Sequence, residues 1–122
     1  MNDPEQGADA LDELREAMRR FTSARDWGQF HTPKNLAMAL AGEAGELIEH
    51  FQWLTPEQSA RLPDDTRAEV ALEMADVLLY LVRLADVLDI DLADAARRKI
   101  RMNDTRYPVE RARGRADKYN RL

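Results

Sequence analysis

AEVALEMADVLLYLVRLADVL, Ala68 to Leu88, carries apolar residues nearly all the way round a helical wheel. A surface helix shows one apolar stripe, so a helix from about Asp65 to Leu88 reads as a central one that must be covered on most sides. Three other helices are available to cover it. Downstream, Asp89 or Asp91 restarts the chain into LADAARRKIRMN, which ends before Tyr107-Pro108. Upstream, LTPEQSARLPDDT (residues 54–66) holds two prolines and reads as a connection with one short turn, because Thr55-Pro56-Glu57-Gln58 matches a capping box.

Before that connection, Thr32-Pro33 supplies a capping hydroxyl and a proline at the first helical position of a second helix, NLAMALAGEAGELIEHFQW. Gly42 and Gly45 cost that helix about 1 kcal/mol each relative to Ala, which points to a packing reason for the small stripe Ala39, Ala41, Gly42, Ala44 and Gly45. The segment ARDWGQFHTP breaks the helical period. The first helix, capped at Asp9 and ending near Arg25, shows Leu11, Leu14, Met18 and Phe21 on one face. The expected fold is all-α, a four-helix bundle, with residues 1–122 as a single domain and residues 109–122 as a basic, loosely held tail. The central helix needs more cover than three short helices give, so burial across a subunit interface is expected as well.

Composition removes several classes of function. With no cysteine among 122 residues, a disulfide scaffold, a cysteine zinc site and thiol catalysis are excluded together. The longest apolar run, Val77 to Val82, is too short to cross a bilayer, and the N-terminus MNDPEQGADA is polar and acidic, so the expectation is a soluble cytoplasmic protein. The net charge of −5 hides an asymmetry: residues 97–122 carry ten Lys and Arg against three acids, whereas residues 1–96 carry eight against twenty. That division suits a nucleic-acid-binding tail, or one phosphate site built from metal-binding acids and cations.

Four carboxylates carry the chemistry. On the second helix Leu36, Leu40 and Leu47 define the buried stripe, Glu43 falls inside it, and Glu46 lies about 60° to one side. On the central helix Glu73 and Asp76, also three apart, share a flank with Glu69 and Tyr80. An unpaired carboxylate in an apolar stripe costs several kcal/mol or loses its charge. Among the cations of these helices only Arg83 is placed to pair with them. One such pair on a helix is usually a solvated face. Two pairs within apolar periodicity point to a divalent metal, and all-oxygen ligands select Mg²⁺, with Mn²⁺ as a substitute. A di-iron bundle would need Glu-x-x-His, and the residue three before His50 is Leu47.

Glu43-x-x-Glu46 followed by Glu73-x-x-Asp76 resembles the signature of the MazG-like all-α nucleoside triphosphate pyrophosphohydrolases. The flanking words RDWGQFHTPKNLAMALAGEAGELIEHFQW, EMADVLLYLVRLADVLDIDL and KIRMNDTRYP resemble the dCTP pyrophosphatase branch, from about Phe21 to Tyr119. The resemblance implies that Glu43, Glu46, Glu73 and Asp76 bind Mg²⁺ and perform catalysis. It implies that Trp27, His31, Trp53 and Tyr80 enclose the nucleobase and deoxyribose, and that Lys99, Asn103, Arg106 and Tyr107 contribute to the triphosphate site. Core packing is the competing role for the aromatics, with Trp53 the fair candidate for it and Trp27, in a polar break, less so. For His31 the competing role is that of a helix-start residue, and for Lys99 and Arg106 that of surface charges.

The implied activity is Mg²⁺-dependent cleavage of a deoxynucleoside triphosphate between the α and β phosphorus atoms, giving a monophosphate and pyrophosphate. Its purpose would be removal of unwanted or modified nucleotides, dCTP or modified pyrimidines first. The implied partners are the nucleotide and further copies of the chain, in a dimer or a tetramer with shared sites, and neither nucleic acid nor membrane. One position departs from the pattern. Met18 stands where animal members carry a His of the base pocket, and Met keeps the packing but removes a ring-nitrogen hydrogen bond, which loosens base selectivity. The alternative class is a non-enzymatic helical module that binds nucleic acid or a partner through its basic C-terminus. It leaves four acids in apolar stripes unexplained.

Overall fold

Capping residues set the helix starts. In the computed structural model, which describes residues 4–122 and their side chains from Ala10 onward, the Thr32 hydroxyl accepts from the Asn35 amide at 3.1 Å and Pro33 takes the first helical position. Thr55 and Gln58 form the reciprocal capping box, at 3.2 and 2.9 Å. Asp91 accepts from the Asp94 amide at 3.0 Å. Each bond satisfies an amide that the first turn leaves without an intrahelical partner. The resulting elements are α1 (Pro4–Ala24), α2 (Pro33–Glu49), α3 (Pro56–Ser59), α4 (Asp64–Val87), α5 (Leu92–Arg106) and α6 (Val109–Ala112), with 3₁₀ turns at Gly28–Phe30 and Tyr119–Arg121. The architecture is all-α, with no strand among the described residues, and the four long helices are those the sequence predicts. No helix among them is long and apolar enough to cross a membrane.

Two boundaries differ from expectation. The first helix begins at Pro4, five residues before the expected Asp9 cap, because proline is tolerated in a first turn; the Asp9 side chain lies outside those described. The second helix stops at Glu49 instead of running to Trp53. There the amides of Phe51 and Gln52 both turn back to the Ile48 carbonyl, and Leu54 bonds to Phe51, so the chain leaves the helix in consecutive tight turns.

The chain divides into two compact units, Met1–Ile90 and Asp91–Leu122. In the first, α4 packs mainly on α2 and also on α1, around Leu36, Val70, Val82 and Ala85. Leu36 is 1% exposed, and burying such a side chain contributes about 1.5–3 kcal/mol. Across the α1–α4 contact the Arg19 guanidinium grips both Asp86 oxygens, with Nε at 2.8 Å from Oδ2, and holds that carboxyl below its ordinary range. The other helices do not cover the central one on every side, as its sequence leads one to expect of a single chain: Leu72, Met74 and Leu78 face solvent. Gly42 and Gly45 have no neighbour within 4 Å of an added Cβ, so contacts among the described residues do not account for these two glycines.

In the second unit α5 exposes Lys99, Asn103 and Arg106. Tyr107 is half-buried and meets the Tyr119 ring edge-on at 6.3 Å, while the Arg106 guanidinium lies 5.0 Å from the centre of the Tyr119 ring. Residues 109–122 contain α6, the second 3₁₀ turn and an Arg115–Asp117 ion pair at 2.7 Å.

Candidate active site

Residues three apart on a helix share a face, so two such acid pairs on packed helices can converge. They do. One carboxylate oxygen each from Glu43 of α2 and Glu73 and Asp76 of α4 lie within 4.8 Å of one another. The Oε2 atoms of Glu43 and Glu73 are buried without a hydrogen-bond partner. Glu46 is exposed at the rim of the cluster. Hydrogen bonding to Glu46 is the main reason the Glu43 carboxyl is pushed up to about 7, followed by burial and by the charges of Glu46, Asp76 and Glu73. Glu73 is pushed up by burial first and then by the Glu46 charge.

Among the described residues no side-chain cation pairs with these acids. Arg83, the candidate partner in the sequence, is committed to His31 and Asp86 instead. Two orphaned buried oxygens within an all-oxygen donor set fit a hard divalent cation, which would neutralise like charges that otherwise keep protons. Glu43, Glu73 and Asp76 would be its ligands, with Glu46 within reach at the rim.

The cluster opens into a cleft of about 460 Å³, lined by Leu14, Ala17, Met18 and Phe21 of α1, Trp27 of the following turn, Glu43, and Asp76, Leu79 and Tyr80 of α4. That volume lies within the range of small-molecule sites. Phe21 and Trp27 meet edge-to-face at 5.5 Å, and Trp27 meets the His31 ring at 6.4 Å. His31 is half-buried, with its Nδ1 accepting from Arg83 Nε at 3.2 Å.

Of the residues singled out in the sequence, Glu43, Asp76, Trp27, Tyr80 and Met18 therefore line one cleft, with Glu73 in the acid cluster and His31 against Trp27. Trp53 does not join them. It is 86% exposed on the turn after α2, which excludes the core-packing role within this chain. Lys99, Asn103, Arg106 and Tyr107 belong to the second unit. The sequence reads Leu14 and Phe21 as core face; Phe21 is 42% exposed, and its place just before the polar break ARDWGQFHTP was the available signal. Nothing pointed to Thr22, which is 1% exposed and whose hydroxyl has no partner, nor to the Arg19–Asp86–Arg83–His31 chain of contacts.

Comparison with known proteins gives the chain a family. Residues 39–122 match the MazG-like family profile. The chain is 44% identical over 114 residues to dCTP pyrophosphatase 1 of Mus musculus, covering 92% of this chain and 67% of that one. It is 43% identical to dCTP pyrophosphatase 1 of Homo sapiens, with the same coverage. A pyrophosphatase from Archaeoglobus fulgidus superposes with a TM-score of 0.77 at 39% identity, over 81% of this chain and 93% of that structure. With the profile spanning the paired acids and these relatives spanning nearly the whole fold, the chain belongs to the MazG-like family.

Proposed function

We propose that the protein is a metal-dependent nucleoside triphosphate pyrophosphohydrolase that cleaves dCTP, or a modified pyrimidine deoxynucleotide, to the monophosphate and pyrophosphate. One observation carries this reading: Glu43 and Asp76 form part of the wall of the same cleft as Trp27 and Tyr80. A carboxylate cluster alone would suit any cation, and an aromatic slot alone any flat ligand. Together they suit a base joined to a triphosphate. The relatives named dCTP pyrophosphatase 1 support the choice of base and bond.

Glu43, Glu73 and Asp76, with Glu46 beside them, hold Mg²⁺, for which Mn²⁺ can substitute. A bound divalent cation would supply the charge that polarises phosphoryl oxygens and lowers the pKa of water. Glu46, the exposed member, accepts the proton of the attacking water. Trp27 and Tyr80 hold the base by stacking and fix where the α phosphorus sits relative to the acids. Lys99, Asn103, Arg106 and Tyr107 serve triphosphate recognition, with the two cations offsetting charge on departing pyrophosphate. Trp53, solvent-exposed in the single chain, and the uncovered faces of α2 and α4 support a dimer or tetramer in which a neighbouring chain completes the site. The enzyme acts in the cytoplasm on the free nucleotide pool, without nucleic acid or membrane as partner.

The test is product analysis of a dNTP panel with and without Mg²⁺. Pyrophosphate and dNMP formed only with metal are expected, and release of orthophosphate would reject the reaction. Salt-dependent DNA binding in the absence of turnover would favour the non-enzymatic alternative.

A further inference from the structure

The protonation of His31 is dictated by a neighbour. A guanidinium nitrogen can only donate, and Arg83 Nε donates to His31 Nδ1 at 3.2 Å. An Nδ1 that accepts leaves the ring proton on Nε2. Burial and the Arg83 charge both push the imidazole down, toward the neutral form.

Arg83 is itself fixed. Its Nη1 lies 3.4 Å from Asp86 Oδ2, one turn further along α4, and the same carboxylate is gripped by Arg19 of α1. A continuous chain of contacts thus runs from α1 through α4 to the residue preceding the α2 cap. At its end stands His31, packed against Trp27, a wall of the cleft.

We propose that Arg83 is a positioning residue for nucleotide recognition, holding His31 as the neutral Nε2–H tautomer so that it offers one hydrogen-bond donor beside Trp27. His31 then reads an acceptor atom of the bound nucleotide, a carbonyl or phosphate oxygen or an unprotonated ring nitrogen, and does not act as the base of the reaction. This rests on the pyrophosphohydrolase reading above, but its first test does not need turnover.

Nitrogen-15 NMR of the full-length protein at neutral pH distinguishes Nε2–H, Nδ1–H and imidazolium forms of His31. The Nε2–H form is expected in the unsubstituted protein, and a mixture of both neutral tautomers in Arg83→Met. An Nδ1–H or imidazolium His31 in the unsubstituted protein overturns the proposal, as does an unchanged tautomer in Arg83→Met. The unsubstituted spectrum decides alone if Arg83→Met does not fold. In kinetics, Arg83→Met should raise KM about threefold to tenfold with little change in kcat, the loss of one well-aligned hydrogen bond. His31→Gln, which keeps a donor near the Nε2 position, should lose less than His31→Leu. A fall confined to kcat, or equal losses in the two His31 variants, would also overturn it. An inactive protein with an Nε2–H His31 would instead count against the pyrophosphohydrolase reading alone.

Discussion

Met74 and Leu78 lie four residues apart on one face of α4, and Met74 is about 160° around the helix from Asp76. They are 57% and 38% exposed. Full burial of such side chains is worth about 1.5–3 kcal/mol each, so covering what remains open gains about 1.5–3 kcal/mol per protomer for the two together. In a twofold interface each contact occurs twice, and the pair then contributes about 3–6 kcal/mol to the dimer. Replacing both by Lys should weaken self-association at least about a hundredfold, and up to about ten-thousandfold. Because both side chains already meet water in the single chain, the helices should survive. Sedimentation velocity across a dilution series, with circular dichroism as the control, measures both quantities. The unsubstituted protein should sediment as a dimer or tetramer at micromolar concentration and Met74→Lys/Leu78→Lys as a folded monomer. An unchanged assembly, or a shift in Kd below about tenfold, would refute the assignment of this face.

Glu43→Ala and Asp76→Ala should each abolish turnover while leaving helical content largely intact; substantial activity in either rejects the ligand set. Mg²⁺ at a hundredfold excess over its Kd should stabilise the fold by about 2.7 kcal/mol. That corresponds to about 5–15 °C in Tm for a chain of this size, reversed by a chelator, and an unchanged melting curve would count against metal binding. In metal-free solution folded Glu43, at about 7, keeps a proton that the unfolded chain, at the ordinary 4.5, has released, so its contribution to stability is lost as pH rises across that window. Glu43→Gln should therefore gain stability relative to the unsubstituted chain between about pH 5 and pH 8 in denaturant titrations, and a constant difference would contradict the crowding. Met18→His should sharpen discrimination for dCTP over dTTP and dUTP about five- to a hundredfold in kcat/KM, whereas the unsubstituted enzyme should turn over all three and prefer pyrimidines to purines.

Much of this was legible because it is local. Thr32-Pro33 and Thr55-Pro56-Glu57-Gln58 encode their caps within four residues, and the acid pairs declare themselves because each sits on an otherwise apolar helix face. The resemblance supplied the placement of Trp27 and Tyr80 around one cleft. What the sequence hid depends on distant partners. Arg83 looked like the one cation available to the acids, yet its partners are His31, 52 residues away, and Asp86, which Arg19 approaches from 67 residues away. Trp53 was placed on a helix that stops four residues earlier, in turns whose residues carry no breaker signal. Apolar periodicity marks α4 as a helix to be covered on most sides, but a pattern records that a face must be covered and not which chain covers it.

The acids stand on two long helices, whereas Trp27 and His31 stand on the short connection that joins α1 to α2. In the proposed function the metal-holding acids thus stand on α2 and α4, and Trp27 and His31 on a separate, short piece of chain, with Tyr80 of α4 the one base contact that the acids' helices supply. On that reading, libraries limited to position 18 and residues 25–31 should redirect nucleotide preference while the carboxylate geometry proposed to break the phosphoanhydride stays intact.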